Sequence, residues 1–311
     1  MSQPYTLNEV LQDYLPAAHI KPNTVELLQF AWKHLLRIVG NLPITEFNQV
    51  KAEQFKTGLL ADNYTPTTVN IWIKASRPVT RWAYKRGFVG FDAWQDCKLL
   101  KISHDEIRIF KPDEIQRILI VCPDERRRLM AMLGLSSLRI SEVLNLLWDD
   151  LDFENMRIKI QRHEDTDITW KWEAKDSDYG ILPLYEKVAS QLLCKVKPEL
   201  PVGQPYICLS PQLYLERLWQ RRNGKWKPRW NTCPETSYAK AFRQIFARAN
   251  VQGGTFHSFR ATAITQWLNS GMPAAKVQKL ARHSSLETTM GFYYGANLAE
   301  ISDEARCYNT F

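Results

Sequence analysis

Arginine, paired with glutamate or histidine, marks three short segments from residue 138 onward. In Leu138-Arg139-Ile140-Ser141-Glu142 a guanidinium sits among apolar residues, at a turn between two helical stretches. A desolvated guanidinium needs an anion beside it, because burying it unpaired is costly. Glu142, three residues on along one helical face, can be that anion. Arg139 therefore reads either as half of a structural ion pair or as a ligand for an external anion. In Phe256-His257-Ser258-Phe259-Arg260 the spacing puts His257 and Arg260 on one face near a helix N-terminus, where free N–H groups and the dipole favour an anion. The third segment, Leu280-Ala281-Arg282-His283-Ser284-Ser285, precedes the adjacent aromatics Phe292, Tyr293 and Tyr294 by about nine residues. Taken singly, an HxxR is common by chance, and a lone histidine such as His283 fits a structural role.

The elements that carry these segments follow from hydrophobic periodicity. Residues 5–90 read as an all-helical unit of four helices. The first carries Leu7, Val10, Leu11 and Tyr14 and ends before Pro16; the second runs from Pro22 to Gly40; the third carries Phe47, Val50, Phe55 and Leu59; the fourth runs from Thr65 to near Gly87. The polar side of the fourth displays Lys74, Arg77, Arg81, Lys85 and Arg86, either a solvated face or a surface that tracks phosphates. Periodicity dissolves after Gly87, and 91–110 reads as a linker. Beyond it, helical signals at 112–121 and 124–147 are followed by β-rich runs at 156–160, 168–172 and 180–184. Helices return near 185–195, 235–249, 257–270, 273–281 and 286–294. The expected class is a mainly α N-terminal domain (1–90) followed by an α+β domain (111–311). The basic-aromatic stretch 220–230, with Arg221, Arg222, Lys225 and Lys227, has turn residues in its middle and reads as an exposed loop. It is either a DNA contact or a solvated insertion.

Composition narrows the partners. The chain has 311 residues, 45% hydrophobic and 24% charged, which fits about two domains with real cores and excludes disorder. No apolar run approaches the roughly 20 residues that span a bilayer. The N-terminus lacks the layout of a signal peptide, and six scattered cysteines show no CxxC pair or zinc-ligand spacing. The expectation is a reduced, cytoplasmic or nucleoid-associated protein with no membrane partner, no metal and no cofactor. The formal net charge of +8 and pI of about 9.1 suit a polyanionic partner, although solubility alone would also account for them.

Together the three segments resemble the catalytic domain of the tyrosine recombinase (phage integrase) family, which includes Xer-type and Cre-type enzymes. That family carries Arg in a GLRxSE-like turn, Lys on a β-hairpin, HxxR, then His within LGH and Tyr nine residues later. Leu135 through Glu142 match the first element, with Ser137 where the family has Gly; His257 and Arg260 match the HxxR; Leu280 through Ser285 match the LGH element, with Ala281-Arg282 adjoining the histidine where Gly is usual. The hairpin Lys maps to Lys175, eight residues before Pro183. The resemblance covers about 111–300, and the four helices of 5–90 look like the family's SAM-like core-binding domain.

The resemblance implies a site-specific recombinase or integrase that closes round double-stranded DNA as a C-clamp. It would assemble as a homotetramer on two sites and act in DNA recombination and integration, as in mobile elements. It would cut through a 3′-phosphotyrosyl link, without metal or ATP. Arg139 and Arg260 would grip the non-bridging oxygens of a pentacovalent phosphate. Lys175 would protonate the departing 5′ oxygen, His257 would assist the nucleophile, His283 would add a phosphate hydrogen bond, and Glu142 would orient Arg139. Counting nine from His283 reaches Phe292, which has no hydroxyl. Three readings follow: a replaced nucleophile at Phe292, Tyr293 serving in a shifted register, or a naturally inactive, DNA-binding member of the fold. No arm-site module is expected before residue 5, and the tail 299–311 is either a docking segment for a neighbouring subunit or a packed terminus. A type IB topoisomerase shares the chemistry.

Overall fold

Helical runs closed by capping side chains and by glycine build the first of two units, Met1–Asp105 and Glu106–Phe311. The computed structural model describes residues 5–20, 22–102, 108–175, 178–226 and 235–291. Helix α1 (Leu7–Ala17) starts at Thr6, whose hydroxyl accepts from the Glu9 N–H while the Glu9 carboxylate accepts from the Thr6 N–H. It continues through Pro16 instead of stopping before it. A proline in the last turn keeps a helical φ and forfeits only one hydrogen bond. Helices α2 (Pro22–Val39), α3 (Gln49–Ala61) and α4 (Pro66–Lys85) follow, and Gly87 at φ 78° turns the chain away from α4. Their inward faces bury Leu28, Trp32, Phe55, Val69 and Ile73, each side chain worth roughly 1.5–3 kcal/mol when removed from water.

The stretch read as a linker, 91–110, is instead shared between the units. Trp94 is buried against Phe47, with ring centroids 5.6 Å apart, and its indole N–H donates to Thr80 Oγ1 at 2.8 Å. Asn70 both donates to the Leu100 carbonyl and accepts from its N–H, at 2.9 Å each. At the other end, Phe110 belongs to the core of the second unit, where its N–H donates to Thr262 Oγ1. Loss of periodicity marked the end of helix there, not the end of packing.

In the second unit, α5 (Pro112–Ile120), α6 (Glu125–Leu135) and α7 (Ile140–Asn145) precede a three-stranded antiparallel sheet, β1 (Leu151–Asp152), β2 (Arg157–Ile160) and β3 (Gly180–Pro183), in that order. Ile158 pairs with Leu182, and both face the core. The strand expected at 168–172 is reduced to a single bridge between His163 and Trp172. Trp170 explains the loss. Its N–H donates to the Tyr206 hydroxyl and its ring stacks on Tyr206 at 3.9 Å, so this backbone group serves the core instead of a ladder.

Helices α8 (Glu186–Gln191), α9 (Pro211–Arg222), α10 (Glu235–Arg248), α11 (Phe256–Asn269), α12 (Ala274–Ala281) and α13 (Leu286–Met290) follow the sheet. The core centres on Phe110, Phe242, Phe246, Phe256 and Phe259. Helix α11 lies close on α6 because Gly134 leaves room: a Cβ there would stand 2.9 Å from that of Phe259. That close approach brings Arg260, the next residue, to the end of α6. Among the described residues no helix is long and apolar enough to cross a membrane.

Candidate active site

Two helix ends of the same build face each other in the second unit. Helix α6 closes through Ser137, at φ 71°, with the Ser137 N–H donating to Gly134 O and the Leu138 N–H to Leu133 O. Helix α12 closes through Arg282, at φ 55°, with the Arg282 N–H donating to Lys279 O and the His283 N–H to Gln278 O. Glycine is the usual residue at such a left-handed corner, and a side chain there costs roughly 1–2 kcal/mol. Both positions are where the sequence departs from the family's glycines.

The buried Arg260 guanidinium bridges the corners, donating from Nη1 to the Ser137 carbonyl and from Nη2 to the Ala281 carbonyl. Arg139 leaves the first corner. Its Nη1 donates to Glu142 Oε1 at 2.9 Å and to Asp178 Oδ2 at 2.8 Å, and its Nη2 to the Arg282 carbonyl at 3.3 Å. The ion pair expected between Arg139 and Glu142 is therefore present. Glu142 also accepts two bonds from Arg282, Nη1 at 3.0 Å and Nη2 at 2.7 Å. His283 meets Thr289 Oγ1 through Nδ1 at 2.9 Å.

Electrostatics show that Arg139, Lys175, His257, Arg260 and His283 share one field. Desolvation first, then Arg260, Arg139 and Lys175, hold the His257 imidazole below the ordinary histidine range. Burial, followed by Arg260 and Arg139, pushes His283 down to about 4. Burial and the neighbouring Arg139 and Arg282 lower Arg260 to about 9, so its guanidinium is still charged at pH 7. Burial alone would raise the Glu142 carboxyl; Arg282 and then Arg139 reverse that and keep it ionised. With neutral histidines, and among the described residues, Arg139, Arg260, Arg282 and Lys175 outweigh Glu142 and Asp178 by two positive charges, which leaves room for an anion.

Two of these residues were not read from the sequence as site residues. Asp178 reaches Arg139 from 39 positions away. Arg282 was visible as a departure from glycine, but its partner Glu142 lies 140 positions away.

The remaining candidates lie elsewhere. In the first unit Lys74, Arg77, Arg81, Lys85 and Arg86 line one groove with Tyr14 and Trp82. Arg77 donates to the Cys97 carbonyl, Arg81 pairs with Asp92 at 2.7 Å, and Arg86 lies over the Trp82 ring at 4.6 Å. The expected exposed loop at 220–230 begins as helix: Arg221 and Arg222 end α9. Arg221 is held by the Thr169 carbonyl at 2.8 Å and by Asp165 at 2.9 Å. The Leu213, Tyr214 and Leu218 side of α9 packs on the core, which drew the segment into a helix. Lys225 sits over the Trp219 ring at 4.8 Å. Lys227, Phe292, Tyr293 and the tail 299–311 lie outside the described residues.

A family model, the phage integrase family, matches residues 221–300. The tyrosine recombinase XerA of Thermococcus kodakarensis is 24% identical over 93% of this chain and 90% of that one. A XerC-like tyrosine recombinase of Caldanaerobacter subterraneus is 25% identical over 60% of this chain, which spans half of that relative's length. Among solved structures, the integrase of the transposon Tn1549, in complex with transposon right end DNA, superposes with a TM-score of 0.73 at 19% identity, over 97% of this chain and 98% of that one. Mostly helical and with a small sheet, the fold matches that of integrase structures. By family model, by relatives and by fold, the chain is similar to tyrosine recombinases of the phage integrase family.

Proposed function

We propose that this protein cuts and rejoins double-stranded DNA at specific sites through a 3′-phosphotyrosyl intermediate, without metal or ATP. The observation that carries the reading is the anion-deficient cluster in which Arg139, Arg260, His257, His283 and Lys175 share one field while both imidazoles stay neutral. A phosphodiester fits that deficit, and it gains charge in the pentacovalent transition state, where fixed guanidinium forks are worth most.

In this mechanism the phosphate takes over the Arg139 donor that Asp178 occupies, and Arg260 holds a second non-bridging oxygen. The tyrosine oxygen forms the new bond to phosphorus as the bond to the 5′ oxygen breaks. Neutral His257 accepts the phenolic proton and Lys175 delivers one to the departing oxygen. His283, oriented by Thr289, donates to the phosphate. The phosphotyrosyl link conserves the bond energy, so attack by a 5′ hydroxyl rejoins the strand. In the first unit the groove around Lys74, Lys85 and Arg86 tracks backbone phosphates, and the assembly is a homotetramer on two DNA sites.

The nucleophile is Tyr293, or a tyrosine restored at 292. A second reading rests on Phe292 at the ninth position after His283: a DNA-binding member of the fold that has lost chemistry. The test is a nicked duplex carrying the site recovered from random-sequence DNA by selection. A covalent adduct that disappears in Tyr293→Phe supports the shifted register. An adduct that forms only in Phe292→Tyr supports the replaced nucleophile. Binding without an adduct in either chain supports the binding protein.

A further inference from the structure

We propose that Arg282 is a positioning residue for the phosphate site: it takes up the charge of Glu142 so that Arg139 stays available to an incoming phosphate. The inference rests on the phosphate-site reading above and adds a residue to it. Arg282 occupies a left-handed corner where glycine would sit without strain. Something must offset that cost, and the side chain shows what does. It is 3% exposed and grips a Glu142 side chain that is 1% exposed, through two parallel bonds of 3.0 and 2.7 Å. Gly180 in β3 makes room for it, because a Cβ there would stand 3.0 Å from Arg282 Cδ.

Both terminal nitrogens of Arg282 are turned to the Glu142 carboxylate. Its effect passes through Glu142. That carboxylate also accepts from the Arg139 N–H at 2.8 Å and from Arg139 Nη1 at 2.9 Å. Remove Arg282, and a buried carboxylate would lean on Arg139 alone. Arg139 would then be neutralised by Glu142 and Asp178 before any phosphate arrived. The Arg282 carbonyl meanwhile receives Arg139 Nη2, so side chain and backbone of one residue set both the charge and the direction of Arg139.

The experiment uses the full chain and inorganic sulfate, a tetrahedral oxyanion of constant charge between pH 5 and 8, followed by NMR of the His257 and His283 imidazoles. Arg282→Gly relieves the corner and removes the cation; sulfate affinity is expected to fall about tenfold. Glu142→Gln in that background should return it to within about threefold of the parent, because the unpaired carboxylate is the fault. A merely structural role gives no such rescue, since the double variant loses both partners. If Arg282→Gly does not fold, the comparison is between Glu142→Gln and the double variant, whose affinities should agree within about threefold. Unchanged affinity in Arg282→Gly, a loss that Glu142→Gln does not reverse, or a larger gap between those last two variants overturns the inference while leaving the phosphate site standing. If sulfate moves neither imidazole in the parent chain, the phosphate-site reading falls and this inference falls with it.

Discussion

The protein carries two concentrations of positive charge, and they are built differently. On α4 the cations stand on the outer face of a helix. Lys74, Lys85 and Arg86 are exposed, Arg81 shares an exposed pair with Asp92, and none of them is central to the packing. In the second unit, Arg260 and Arg282 are buried, Arg139 is half-buried, and each is fixed by carbonyls or carboxylates from distant segments. A surface row can follow a polyanion through high dielectric, with each contact small and interchangeable. A buried, pre-set cluster cannot adapt, but it concentrates its field on one anion and needs no reorganisation when charge develops there. In the proposed function, affinity falls to the first region and chemistry to the second.

The largest effect that could break this division is at Arg260. Arg260→Ala should lower single-turnover adduct formation by on the order of 10³-fold, and Arg260→Lys, which keeps a charge but loses the fork, by on the order of 10²-fold. Gel-shift affinity in both should stay within about threefold of the parent, since it is spread over many phosphates. Equal reductions of affinity and rate would erase the distinction between the regions. The converse variant, Lys74→Ala with Lys85→Ala and Arg86→Ala, should weaken DNA binding about tenfold. The slope of log affinity against log salt should become shallower by about 0.9 for each phosphate that is no longer neutralised. The rate at saturating DNA should not move.

Much of the candidate cluster was legible in the sequence because a helix makes spacing into geometry: Arg139 with Glu142, and His257 with Arg260, are each three apart. The four helices of the first unit were legible for the same reason. What was not legible depends on tertiary contact. Asp178 meets Arg139 only because the segment before β3 passes the first corner, and no local pattern announces it. Arg282 was visible as the wrong residue for its place, while its role needed Glu142 brought from the other end of the domain. Helix α9 was obscured by the turn residues that follow it, and the strand at 168–172 gave way to the demand of Trp170 for the core.

A smaller effect is expected from pH, and it separates the buried cluster from the surface row. Because His283 is held at about 4 and His257 is also lowered, the unfolded chain binds protons that the folded chain refuses. Stability should therefore be full above about pH 6.5, the ordinary histidine value, and fall as pH drops from there toward 4. Sulfate bound at the cluster favours the protonated imidazoles, so its affinity should rise over the same window and level off above about pH 7. His283→Gln should flatten both curves, as read by thermal unfolding and by sulfate titration. The smallest effect is at the first corner. Ser137→Gly frees a residue at φ 71° and removes a buried hydroxyl that has no partner among the described residues. It should raise unfolding stability by about 1 kcal/mol in urea titration and leave DNA affinity unchanged.

In the proposed function, the buried cluster presents a scissile phosphate to a tyrosine in the sequence after Gly291. The direct measurement is tandem mass spectrometry of the adduct trapped on nicked DNA, with the parent chain and Phe292→Tyr run side by side. A nucleotide-bearing tyrosine is expected on the peptide that covers residues 292–294. An adduct on a tyrosine elsewhere in the chain, or none in either protein while both still bind the DNA, would contradict it.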